Sequence, residues 1–507
     1  MTIEPLSVSI TPQEIWVQPG ASAQIQIGLA RGPGGDGDAV VALEDEAGAN
    51  VSADPLTISA GNTTGTLTVH VAAAFAQGSD TTTIDVASGT ADAQATLTVH
   101  VAGASGAPDE SFAGSGVADL PPSSGQDVGA ALIALQSGVL VGGTHVETGD
   151  AGSVSTMKVF RLGSGGGVDG AFAVTFAPGE LRSIAMLPDG RVFAVGDVRG
   201  AKADFAAVRM LAAGGLDPTY AVVTPITLGD DVARAAVVEP GGRLVAAGSV
   251  GDASAFGVAR YTQAPLPLEA GTDAPSDAVS DSASDSAADA GPDAITSHLD
   301  PTFGEGGVVV TTLAKPNAGA SSMLLGSDGS LYVLGFQADT TTDVALLHYD
   351  TSGALLQTTT VPLATGTYGA AAAILQPDGA IAVATDDGGQ ALILRVLPSG
   401  ALDTSFGAGG KSALTIGASS ASRALARDPS NGDLYVGGFS ATRCFVARVS
   451  SAGALDTSFA SSGILMLTQG DACDVAALAI DDDRKILVLE TVTSGGATHM
   501  AVGRYWR

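Results

Sequence analysis

Seven basic side chains occupy one position of a recurring strand: Arg161, Arg209, Arg260, His348, Arg395, Arg448 and Arg504. Eight residues after four of them stands an aspartate: Asp169, Asp217, Asp403 or Asp456. After Arg260 the aspartate is displaced to Asp300. After Arg504 the sequence ends, and Asp109, near the front, is the partner left over. The one copy without arginine, His348, is followed at the same distance by Leu356 rather than aspartate. Two chemistries suit such a column. A planar guanidinium matches a carboxylate, giving a structural, charge-assisted bond; alternatively, a ring of arginines would hold an anion. Loss of both partners in the same copy favours the bond.

Other residues that could do chemistry are scattered. No GxSxG, HExxH or P-loop pattern occurs, so no catalytic residue is assigned and an enzyme is not expected. His70 and His100 lie in duplicate TLTVHVA segments and point away from the valines, toward solvent. His145 and His499 read as surface residues in or beside loops, and His348 as structural. Cys444 and Cys473 lack zinc-type spacing. They stand at matching heights in successive repeats, where either a disulfide or two free thiols is compatible with the sequence.

Four elements per repeat must position these groups. A Leu-Asp phrase reads LDPTFGEGG at Leu299–Gly307, LDTSFGAGG at Leu402–Gly410 and LDTSFASSG at Leu455–Gly463, with weaker copies at Pro108–Gly116, Val168–Phe172 and Leu216–Tyr220. A short strand follows it. Next comes an Ala/Leu/Val run ending in a turn such as LPDG (Leu187–Gly190), EPGG (Glu239–Gly242) or QPDG (Gln376–Gly379). Pro, Asp and Gly set that turn through fixed φ, side-chain bonding and tolerated positive φ. A third strand (RVFAVG, RLVAAG, LYVLG) and the arginine strand (FAAVRM, FGVARY, CFVARV) complete the unit. A four-stranded antiparallel unit repeated seven times predicts a β-propeller. The strand near Ser115–Leu120 comes first and Met500–Tyr505 comes last, so the two ends are expected to pair and shut the ring.

In that architecture one face carries the loops into the Ala/Leu/Val run and into the arginine strand. Acidic residues cluster there: Glu147, Asp150, Asp197, Asp230, Asp231, Asp252, Asp339, Asp343, Asp386, Asp387, Asp471 and Asp474. Solvated loops account for them; a central Ca²⁺ is the alternative. No other cofactor is expected.

Residues 1–103 differ. Strict alternation in Ile25/Ile27/Leu29 and Leu67/Val69/Val71 gives each strand one buried face. Strands are expected at Leu6–Ile10, Ser22–Leu29, Ala39–Leu43, Gly65–Val71, Thr81–Val86 and Ala93–Val101, the pattern of an immunoglobulin-like sandwich. Residues 262–298 interrupt the repeats with aspartates at every fourth position in an Ala/Ser/Pro background. Like charges at that spacing destabilise a helix, and the apolar surface is too small to offset ordering, so disorder is expected. The fold expected is therefore all-β: an Ig-like β-sandwich over 1–103 and a seven-bladed β-propeller over 104–507, closed by N- and C-terminal strands and carrying the insert at 262–298.

The phrase LDxSFGxGG, the QPDG turn and the FxxARY strand together resemble the delta-60 repeat of large bacterial surface and secreted proteins, over Pro108–Arg507. The first hundred residues resemble, in architecture only, the N-terminal Ig-like modules of bacterial surface proteins. The resemblance implies a propeller without an assigned activity. The chain has 507 residues, a net charge of −31 and only five lysines, which argues against nucleic acid or an anionic membrane as partner. No run is long and apolar enough for a membrane span. The N-terminal MTIEPLSVSI has no basic start and no apolar core; the Thr/Ser/Gly-rich, lysine-poor style suggests an extracytoplasmic protein numbered after a removed signal or lipoprotein leader. The function expected is non-enzymatic binding or scaffolding, through the propeller loop face and the Ig-like domain, with a protein or glycan at a cell surface. A propeller hydrolase or lactonase with a loop-face metal, and a self-assembling surface subunit, are the alternatives.

Overall fold

The computed structural model describes the chain except residues 1–5, 33–34, 45–49, 74, 76–77, 121–124, 150–151, 177–178, 265–297, 364–371, 418 and 461. Every regular element among the described residues is a β-strand. The chain divides into two compact units, Met1–Val117 with Arg504–Arg507, and Ala118–Gly503.

The first unit contains two sheets. One has four strands, Leu6–Thr11, Ser22–Arg31, Thr64–Val71 and Val51–Ala53, in that spatial order. The other has five: Glu14–Val17, Ala91–Val101, Gly78–Ser88, Ala39–Leu43 and Leu56–Ile58. Alternate residues of both sheets meet in one core, with Ile25, Ile27, Leu67 and Val69 from one side and Val41, Ile84, Leu97 and Val99 from the other. Period-two alternation therefore does here what the sequence implied, setting one face of each strand inward. Three short strands, Glu14–Val17, Val51–Ala53 and Leu56–Ile58, are additions to the expected set.

Seven four-stranded antiparallel sheets follow. Sheet 1 is Gln126–Leu135, Gly138–Gly149, Gly152–Gly163 and Val168–Phe176. Sheet 2 is Glu180–Met186, Val192–Arg199, Ala203–Met210 and Leu216–Thr224. Sheet 3 is Val232–Val238, Leu244–Val250, Ala255–Tyr261 and Val308–Thr311. Sheet 4 is Asn317–Leu325, Leu331–Ala338, Thr342–Tyr349 and Leu355–Pro362. Sheet 5 is Ala372–Leu375, Ile381–Asp386, Ala391–Val396 and Lys411–Ala413. Sheet 6 is Ser420–Arg427, Leu434–Ser440, Arg443–Val449 and Ile464–Met466. Sheet 7 takes Ala472–Ile480, Lys485–Ser494 and Ala497–Trp506 from the end of the chain, and its fourth strand, Val117–Asp119, from the front.

Within each sheet the order is run, post-turn strand, arginine strand, phrase strand. First strands of successive sheets pack on one another, and that of sheet 7 packs on that of sheet 1, so the neighbour relation is cyclic. Adjacent sheets share apolar cores, such as Val245, Phe256, Val258, Leu331, Val333 and Leu347 between sheets 3 and 4. Of the low-complexity stretch 262–298, expected to be disordered, 265–297 lies outside the described residues, whereas Thr262, Gln263 and the buried His298 are hydrogen-bonded and ordered, because they continue the backbone pairing of the arginine strand. Its flanks are fastened: Thr262 N–H donates to His298 C=O at 2.7 Å, and Asp300 N–H to Arg260 C=O at 2.8 Å.

Candidate functional site

The arginine column forms the clamp that its spacing implied. Arg209 Nε donates to Asp217 at 2.9 Å, Arg260 Nε to Asp300 at 3.0 Å, Arg448 Nε to Asp456 at 2.8 Å and Arg161 Nε to Asp169 at 3.0 Å; Arg395 and Asp403 also pair. Arg504 Nε donates to Asp109 at 2.6 Å across 395 residues. In each clamp the second carboxylate oxygen accepts the backbone N–H two residues on. In five of the six it also takes the Ser or Thr hydroxyl there, as from Thr219 (2.6 Å), Thr302 (2.6 Å) and Ser405 (2.6 Å). The phrase aromatic lies beneath the guanidinium: Phe172, Tyr220, Phe303, Phe459 and Phe112, at 4.6 to 5.4 Å from ring centre to Cζ. The Leu-Asp-x-(Ser/Thr)-Phe phrase is thus a single fastening. Five of its carboxylates, Asp169, Asp217, Asp300, Asp403 and Asp456, sit below their usual pKa range. For Asp403 and Asp456 the serine hydroxyl is the largest cause, and for Asp169 it is Arg161. For Asp217 and Asp300 burial pulls upward and is outweighed by the threonine and arginine bonds. His348 instead stacks on Tyr332 at 4.1 Å.

Eight of the twelve loop-face carboxylates are engaged one by one, and for Asp474 burial raises the pKa against the pull of Arg423. Asp231 is fully buried and accepts from Ile226, Thr227 and Gly251. Asp230 caps Ala203, Asp252 takes the Asp230 amide and Lys202, Asp343 takes Lys315 and Gln337, Asp386 takes Gly389, and Asp471 takes Gly495. Asp339 binds the Thr341 amide and hydroxyl, and Asp387 faces Lys411 at 3.7 Å. Glu147 is exposed. Asp150 lies outside the described residues. His70 is surface-exposed, between Ser22 (2.6 Å) and Asp54 (2.9 Å). His100 stacks on Trp16 at 4.2 Å, and His499 faces Asp119 at 3.4 Å. His145, read as a surface residue, is buried instead: its Nδ1 lies 2.8 Å from Asp127, which also accepts from Lys158 at 3.1 Å. The reason is strand length, because the hairpin Gly138–Gly149/Gly152–Gly163 extends the ladder past His145. Cys444 and Cys473 form a disulfide, with Cα atoms 5.5 Å apart, between sheets 6 and 7.

Two positions escaped the sequence reading. The first is a bulge in the first strand of six sheets, at Ala130, Arg182, Arg234, Ser321, Arg423 and Ala476. A bulge inserts an unpaired residue and re-aims its side chain. Three of the six bulge positions carry arginine: Arg182, Arg234 and Arg423. The second position lies opposite the bulge and is held by glycine in five sheets. A Cβ on Gly196 would meet the Glu180 carbonyl oxygen at 1.8 Å, and one on Gly335 the Gly319 oxygen at 1.9 Å. Sheet 7 places Glu490 there, fully buried. Burial, then Asp119, pushes its carboxyl up to about 8. Among the described residues, Cys444, Cys473 and Glu490 are the group whose ligand atoms lie close enough to share an ion, and the two sulfurs are bonded to each other.

Around the bulges of sheets 2 and 3, Arg182 pairs with Glu180 and lies 3.6 Å from Asp197 through Nε; Arg199 Nε lies 3.5 Å from Asp197. Asp197 is fully buried and neither of its oxygens accepts a hydrogen bond. Burial raises its pKa against the pull of Arg182 and Arg199.

Residues 376–406 match the family model described as a domain of unknown function (DUF5122) beta-propeller. That stretch holds the QPDG turn and the Arg395–Asp403 clamp, so a β-propeller repeat is present there, flanked by sheets of the same four-stranded kind. No curated protein matches the chain. Among solved structures, domains 5–6 of the S-layer protein SbsC are 14% identical, covering 43% of this chain and 95% of that one, with a TM-score of 0.15. Prolyl oligopeptidase B from Galerina marginata is 11% identical over 81% of this chain and 54% of its own, with a TM-score of 0.35, so the match takes in about half of that enzyme. A Synechocystis apocarotenoid oxygenase mutant is 10% identical over 89% and 94%, with a TM-score of 0.27. None superposes closely enough to lend this chain an activity. Among the described residues no helix is long and apolar enough to cross a membrane.

Proposed function

We propose that the chain is an extracytoplasmic binding or scaffold protein without catalytic activity. On this reading residues 1–103 are an Ig-like sandwich. Residues 104–507 are a seven-bladed propeller whose first strands line a central channel. One observation carries the reading. The clamp is nearly invariant from sheet to sheet, while the bulge column varies: Ala130, Arg182, Arg234, Ser321, Arg423 and Ala476. A constant frame presenting a variable column is how repeat proteins build recognition surfaces. The inter-sheet disulfide supports an oxidising compartment.

The test is saturable binding of the purified full chain to cell-envelope preparations, alongside ester and lactone substrate panels. Binding without turnover is expected; turnover, or no saturable binding, overturns the reading. The same sample is expected to keep its Tm in EDTA and in added Ca²⁺, and a Ca²⁺-dependent rise would favour the loop-face metal. A discrete native mass is expected, whereas an open-ended series would favour a self-assembling subunit.

A further inference from the structure

The first strands of sheets 2 and 3 pack on each other, and each offers an arginine at its bulge. Arg182, Arg199 and Arg234 gather there with only two carboxylates, Glu180 and Asp197. Three positive charges against two negative leave one in excess. Asp197 does not hold its arginines tightly, because both Nε contacts exceed hydrogen-bond length. Arg234 is solvent-accessible and makes no hydrogen bond or ion pair among the described residues, unlike the six clamp arginines. Enclosure by protein, and then Arg182, push its pKa down. A guanidinium kept unpaired in a chain of net charge −31 is a group held for something that is not part of this chain.

We propose that Arg234, supported by Arg182 and Arg199, forms a carboxylate-binding site in the propeller channel that takes a monoanionic organic acid. The inference rests on the propeller reading above and names a ligand class for it. A single carboxylate neutralises the excess charge and fits the planar guanidinium through two parallel hydrogen bonds. A phosphate dianion overshoots the local balance and meets the repulsion of an acidic protein. Arg182 and Arg199 remain 33% and 60% exposed at their side chains, so a ligand on Arg234 can compete with Glu180 and Asp197 for them.

The experiment titrates the full chain with sodium D-glucuronate, acetate, phosphate and glucose at constant ionic strength, followed by calorimetry or ligand-detected NMR. Glucuronate and acetate are expected to bind, with phosphate weaker and glucose silent. Oligogalacturonate separates a polymer-borne carboxylate from a free acid, tightening the interaction if the source is a glycan. Arg234→Gln is expected to weaken carboxylate binding about 10- to 100-fold, the loss of one charged hydrogen-bonding partner. Arg234→Lys retains part of it, and Arg427→Gln, in the same protein but outside the cluster, retains all of it. Equal binding by Arg234→Gln and the parent, or no carboxylate binding at all, overturns the site. Envelope binding that survives in Arg234→Gln would leave the scaffold reading standing while the site fails.

Discussion

Asp109→Asn tests the logic of the closing sheet. Asp109 and Arg504 are 1% and 7% exposed at their side chains, and the guanidinium lies over Phe112 at 5.0 Å. Asparagine keeps an oxygen for the Ser111 amide and hydroxyl but removes the charge, leaving Arg504 enclosed without its carboxylate. Breaking a buried pair from one side costs about 3–5 kcal/mol, or about a hundred- to a few-thousand-fold more frequent opening. The matching change Asp169→Asn faces a pair that is about one-third exposed on both sides, where water takes up the stranded charge, so its effect is expected to be much smaller. Urea unfolding followed by circular dichroism gives the midpoints. Hydrogen exchange of peptides covering 497–506 reports the opening. Asp109→Asn is expected to lower the midpoint and unprotect those peptides before any other sheet. Midpoints and exchange indistinguishable between the two variants would refute the argument that burial, not mere pairing, sets the value of each clamp.

Glu490 predicts a pH dependence. Its carboxyl titrates near 8 when folded and near 4.5 when unfolded, so between those values the native state holds the extra proton. Stability then falls as pH rises, by up to about 1.4 kcal/mol per pH unit, and levels off above about 8. Glu490→Gln should flatten urea midpoints between pH 5 and 9, and an unchanged slope would reject the assignment. Cys444→Ser should cost about 3.6 kcal/mol, the constraint expected for a bridge spanning 29 residues; peptide mapping without reductant that recovers two free thiols would remove the basis of this figure. Gly335→Ala drives a Cβ into the Gly319 carbonyl and is expected to lower stability by about 1–3 kcal/mol, measured against the control Gly165→Ala, whose site is open and whose φ is not in the left-handed region.

What the sequence made legible was whatever repeats in register. Arg161 and Asp169 are eight apart because a hairpin turn brings them face to face, and the same arithmetic recurs at Arg209, Arg395 and Arg448. The two-sheet unit was readable wherever alternation lasted, as in Ser22–Arg31. It was not readable at Val51–Ala53 or Leu56–Ile58, where three residues give too short a pattern to distinguish strand from loop. The bulge column was missed for a physical reason. An inserted residue breaks the two-residue period, so Arg182 and Arg234 look like ordinary polar positions on strands. One signal was present: Arg182, Arg234 and Ser321 stand at the same distance ahead of the turn glycines Gly190, Gly242 and Gly329. Glu490 was hidden similarly, since only the carbonyl of the opposing bulge reveals that its column belongs to glycine. His145 was misplaced because nothing local announced that its hairpin outlasts those of the other repeats.

The clamp of sheet 3 spans 40 residues where four of its counterparts span eight, yet its Nε bond, at 3.0 Å, is as long as that of Arg161. Thr262 and His298 meet through their backbones on either side of the intervening stretch. Entry and exit at this point are thus soldered to each other, and the length of what lies between does not reach the strands. The site is a natural docking port for protein engineering: a foreign domain spliced between Ala264 and His298 should ride on the frame without loosening it.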